Sequence, residues 1–182
     1  MSAAPIYLWP STSASSIVAA DLVTTYRALA CAAVEAAHLV SLGTADYLGA
    51  AGWDLELGID EASTAVGNAV CVHDLAKFHP FWSGDRQVDE AAYAATSLSP
   101  LPFITACRLV QHLRIAYTAL QDGADDAARL VQADHHYART QGYVGEIGWD
   151  LETAIDDARI AIRDSMRVGD LARLDPFWAG KL

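Results

Sequence analysis

The sequence predicts an all-α fold, a helical bundle built from two duplicated helical-hairpin units related by pseudo-twofold symmetry. Three observations carry that prediction. Apolar residues recur at helical spacing through most of the chain. No stretch alternates polar and apolar residues at period two for long enough to make a strand. One passage is written twice, as GWDLELGIDEASTAV from Gly52 and GWDLETAIDDARIAI from Gly148.

At the fixed offset of 96, residues 52–84 align with 148–180 without a gap, and 17 of the 33 positions are identical. The match includes Trp53/Trp149, Ile59/Ile155 and Asp60/Asp156, and it closes on PFWSG against PFWAG. Upstream it fades, although Tyr47 still meets Tyr143 and Gly49 meets Gly145. A period this long marks a duplicated structural unit.

The elements follow in order. The first helix is expected over 15–42, alanine-rich and capped by Ser13 or Ser15. The second is expected over 55–77, with Asp54 as N-cap and Glu56 in the first turn, where the helix dipole favours an acid. Its apolar stripe is Leu55, Ile59, Ala62, Val66 and Val70, and Pro80 follows its end. A turn-rich linker, 87–101, has room for a short helix over 88–95. In the second unit Gly123 is expected to interrupt the pattern, leaving helices over 103–121 and 124–140. The last helix, 151–173, repeats the stripe as Leu151, Ile155, Ala158, Ile162 and Met166. The units are thus 1–86 and 102–182, packed as one compact domain. Trp82 and Trp178 are expected to fold back over the bundle end.

With 182 residues, 53% of them hydrophobic, the chain can bury a core and is not disordered. The first residues lack the basic-then-apolar order of a signal peptide. Asp21, Arg27 and Glu35 make the most apolar helix a poor membrane span. Three widely spaced cysteines, an odd number, are expected as reduced thiols in a cytoplasmic compartment. The net charge of −11 disfavours nucleic acid and anionic membranes as partners. It is uneven: residues 1–96 hold 3 Lys/Arg against 11 Asp/Glu, and residues 97–182 hold 9 against 12.

The segments HLVSLGTADYLGAAGWDLELGIDEA and YVGEIGWDLETAIDDA resemble the last two helices of ubiquitin-associated-like three-helix domains. In that family a short helix ends near GWD and the next begins with LExAI. The family's ubiquitin contact is a Met-Gly-aromatic loop, where this chain reads SLGTA and DHHYA. The resemblance covers under half the chain and implies a compact helical unit used for protein contacts.

Chemical motifs are few. Glu35 and His38 lie three apart on one helix face, as in di-iron bundles, but their counterparts at the repeat offset are Val131 and Asp134. Glu56, Asp60, Glu152 and Asp156 are repeated carboxylates that could surround a hard cation, and a metal-dependent enzyme using them is one alternative. No HExxH, CxxC, phosphate-cradling glycine loop or strained nucleophile turn is present. The sequence therefore points to a non-catalytic intracellular protein without a cofactor, an adaptor, regulator or inhibitor that binds another macromolecule, expected to be a protein carrying basic charge, through its acidic first half and its aromatic helix ends. The expected contact residues are Asp54, Glu56, Asp60, Glu61 and Trp82. The first alternative, ahead of the metal-dependent enzyme, is a small apolar ligand enclosed between the units and lined by Trp53, Trp149, Tyr47 and Tyr143.

Overall fold

The computed structural model describes residues 10–43, 52–83, 98–141 and 147–182. Four long helices dominate: α1 (Pro10–Ser41), α2 (Gly52–Cys71), α3 (Pro102–Gln141) and α4 (Ile147–Met166). No strand occurs among the described residues. The expected short helix over 88–95 lies outside them.

The helices form a bundle in which α1 lies along α3 and α2 along α4, while α1 also packs on α2 and α3 on α4. The α1–α3 pair is antiparallel: Asp21 lies beside Gly123, Glu35 beside Arg108, and the His38 ring beside the Ser99 carbonyl. The predicted stripes are the ones that face inward. Leu55, Ile59, Ala62, Val66 and Val70 are buried, as are Leu151, Ile155, Ala158, Ile162 and Met166. One continuous apolar core joins all four helices.

Three local expectations are corrected. Gly123 does not break α3, which runs unbroken from Pro102 to Gln141. A Cβ at Gly123 would sit 3.3 Å from that of Asp21, so this glycine serves close helix approach rather than termination. Asp54 is not a cap, because α2 already begins at Gly52; it is an acid of the first turn, where the dipole still favours it. The α-helices end at Cys71 and Met166, earlier than expected, and the chain continues as tighter 3₁₀ turns at Val72–Phe78 and Leu171–Leu174. Beyond Met166 the chain turns through Gly169, whose φ of 56° is a left-handed conformation that glycine adopts freely, before the Leu171–Leu174 turn.

Two PFW turns follow the 3₁₀ segments, at Pro80–Ser83 and at Pro176–Trp178. The His79 Nδ1 accepts from the Phe81 amide at 3.2 Å, and the Asp175 carboxylate accepts from the Phe177 amide at 2.8 Å. Two different side chains thus cap the same turn. The turn drives a tryptophan inward: Trp82 is 5% exposed and Trp178 is 1% exposed. Trp82 packs edge-on against Phe81 and Tyr26, with centroids 5.1 and 5.6 Å away. Trp178 packs edge-on against Phe177 and Tyr117 at 5.1 and 5.4 Å. An arginine covers the phenylalanine in each cluster, Arg27 over Phe81 and Arg114 over Phe177, both at 4.9 Å. Burying such a ring removes about 150–250 Å² from water, an upper estimate of roughly 4–6 kcal/mol each.

Candidate functional site

Along the outer side of the α2–α4 pair runs a groove of about 320 Å³. Its base includes the small, buried side chains Ala65 and Ala161, which let the two helices approach. Asp60, Glu61, Thr64 and Asn68 line it from α2, and Asp157, Ile160 and Asp164 from α4. Positions 61, 64 and 68, like 157, 160 and 164, have the three- and four-residue spacing that puts side chains on one helix face. The groove thus has four carboxylates, one exposed isoleucine and no basic side chain among its lining residues.

Electrostatically the carboxylates are unequal. Asp164, in the last turn of α4, is held by Arg167 just beyond the helix at 2.6 Å, a charge-assisted bond. Asp60, Glu61 and Asp157 make no ion pair with a described basic residue. Arg159 of α4 pairs with Asp156 at 3.5 Å and lies over the Tyr117 ring of α3, and Arg173, beyond α4, pairs with Asp170 at 3.2 Å. The groove therefore keeps a negative field that an incoming cation would meet with little competition.

No family model, curated protein or solved structure matches this chain.

The sequence-derived candidates fall into three groups. Asp60 and Glu61 line the groove. Asp54 is exposed and Glu56 half-buried on α2, and neither lines the groove. Trp82 is in the core, its indole N–H donating to the Ala19 carbonyl at 3.2 Å, so its ring packs the bundle rather than offering a contact surface. Tyr47 and Tyr143 lie outside the described residues, and so do the side chains of Trp53 and Trp149.

Glu56, Asp60, Glu152 and Asp156 do not gather: among the described residues no three His, Cys, Asp or Glu side chains come together as a metal site would need. Glu35 is instead fully buried, with its carboxylate 3.7 Å from the Arg108 guanidinium, and the His38 Nε2 lies 2.8 Å from the Ser99 carbonyl oxygen. All three cysteines are free, and burial together with the nearby Glu35 raises the Cys31 pKa, which keeps that thiol protonated and unreactive.

Asp157, Ile160 and Asp164 were not picked out from the sequence. The signal existed: Asp157 is the counterpart of Glu61 and Ala161 of Ala65 in the gapless repeat. Nothing in the linear sequence says that the two copies of this face lie side by side.

Proposed function

We propose that this is a non-catalytic intracellular protein that binds another protein, as an adaptor, regulator or inhibitor, and that a basic segment of the partner lies in the groove between α2 and α4. The observation that carries the reading is the convergence of Asp60 and Glu61 with Asp157 and Asp164 around one cavity, three of the four without a described ionic partner. Asp60 and Glu61 are adjacent on α2 while Asp157 and Asp164 stand two turns apart on α4, an arrangement that suits a basic helical segment with several cations on one face. Ile160, 39% exposed, gives such a segment an apolar contact. The ubiquitin-associated-like resemblance points the same way, toward a helical unit used for protein contacts. Three free thiols accord with a reducing compartment.

We further propose that the bundle is a duplicated unit with a pseudo-twofold axis passing through this groove. The second helices match at offset 96. The first helices match at offset 91, which pairs Tyr26 with Tyr117. At that offset YRALACAAVEAAHL meets YTALQDGADDAARL, with seven of 14 positions identical. Burial follows it: Val18, Leu22, Leu29, Ala36 and Leu39 are buried, and so are Leu109, Leu113, Leu120, Ala127 and Leu130. The paired tryptophan clusters fit the same relation, although their covering arginines come from different positions, Arg27 aligning with Thr118 and Arg114 with Val23.

Association with a lysine- and arginine-rich peptide tests the functional reading. Its rate should fall markedly from low to physiological salt, because charge complementarity acts mainly on encounter and is screened over about 8–10 Å. Asp60→Lys with Glu61→Lys should slow it further, while Asp54→Lys with Glu56→Lys, outside the groove, should not. Salt-independent association would overturn the reading.

A further inference from the structure

We propose that the contact between α1 and α3 at Asp21 and Gly123 is a pH-sensitive latch that closes more firmly when Asp21 is protonated. The geometry sets it up. Gly123 removes the side chain that would hold the helices apart, and the Asp21 Cβ and carboxylate face the space so vacated. The Asp21 Oδ2 is buried and accepts no hydrogen bond among the described residues. Among those residues the charged groups acting on it are Asp126 and Asp122, both from α3. Asp126 is itself paired with Arg129 at 3.0 Å. A carboxylate without a partner, facing two more, is favoured in its neutral form.

Burial first, and the two aspartates second, raise the Asp21 pKa from 3.8 to about 6. The native state therefore holds this proton more tightly than the unfolded chain does. Its stabilising contribution is complete below 3.8 and is lost as the pH rises through about 6. Elsewhere on the same helix pair His112 titrates in the opposite sense. Burial lowers its pKa, while Glu35 raises it and Arg108 lowers it, so acidification costs stability there. The pH dependence of the whole protein mixes the two, and only a comparison against an Asp21 variant isolates the latch.

Asp21→Asn keeps the shape and removes the charge. Urea unfolding of the full chain and of this variant should be compared at pH 7.5 and pH 5, where every other titrating group cancels in the ratio. The variant should be the more stable at pH 7.5, and its advantage in unfolding equilibrium constant should narrow by several-fold, up to about tenfold, at pH 5. An advantage independent of pH, or none, would overturn the proposal. A second measurement needs no variant: the Asp21 carboxyl carbon, followed by NMR, should titrate near 6, and titration at the ordinary value would overturn the proposal equally.

Discussion

Gly58 offers a direct test of how the two second helices meet. It lies inside α2, and a Cβ there would collide with the Ser165 Oγ of α4, with the Ala161 carbonyl and the Ser165 Cβ each at 3.5 Å. Ser165 is 1% exposed, and its hydroxyl donates to the Ala161 carbonyl at 2.9 Å, so it has little room to turn away. Gly58→Ala should gain about 1 kcal/mol of helix propensity and lose roughly 1–3 kcal/mol to overpacking, a net loss of up to about 2 kcal/mol. Ser165→Ala alone should cost within about 1 kcal/mol, since its hydroxyl makes only a local bond to its own helix. In the double variant the collision is gone and the propensity gain remains. It should be more stable than Ser165→Ala by about 1 kcal/mol, a favourable coupling that urea denaturation midpoints can resolve. At offset 96 the counterparts of Gly58 and Ser165 are Ala154 and Ala69, so the double variant writes the alanine pair of one side onto the other. Strictly additive costs would refute both the close contact and the equivalence of the two sides.

Two further predictions concern stability. Ile59→Ala and Ile155→Ala, each emptying a site 1% exposed, should each cost about 2–5 kcal/mol, whereas Glu56→Ala and Glu152→Ala should cost well under about 1 kcal/mol. Thermal denaturation of the four variants checks this, and glutamates as costly as the isoleucines would contradict the core described above. Arg108→Ala should cost about 1–3 kcal/mol, because it withdraws a cation from the fully buried Glu35. Arg167→Ala, which breaks an exposed pair with Asp164, should cost no more than about 0.5 kcal/mol by the same assay.

Much of the fold could be read from the residues, because helix period and buried stripe are local properties. The isoleucine and leucine stripes of α2 and α4 were legible position by position, and so was the all-α class. Gly123 was misread because a glycine inside a helical pattern looks the same whether it breaks the helix or admits a neighbour. Only the approach of Asp21 from α1 separates the two. The sequence likeness of the first helices is hidden for a different reason. The second unit has five more residues between its tyrosine and its GWD than the first, so a comparison held at offset 96 slides Tyr26 past Tyr117. For Trp82 the sequence suggests both a ring folded back over the bundle end and a contact residue, and the His79-capped turn points the ring into the core. The groove was half legible. Asp60 and Glu61 could be chosen for their charge, while Asp157 and Asp164 became neighbours only through α2–α4 packing, which is not encoded locally.

If one groove shared by both halves holds the basic partner, acids from α2 and from α4 both contribute to its affinity. The most direct measurement is the dissociation constant of a lysine- and arginine-rich helical peptide for three proteins, read by isothermal titration calorimetry at low and physiological salt. These are the unaltered chain, Asp60→Lys with Glu61→Lys, and Asp157→Lys with Asp164→Lys. If the groove is the site, both double variants weaken binding by at least about tenfold at low salt, and the loss shrinks as salt screens the charges. If only the first-half pair matters, or neither does, the shared groove is not where the partner binds.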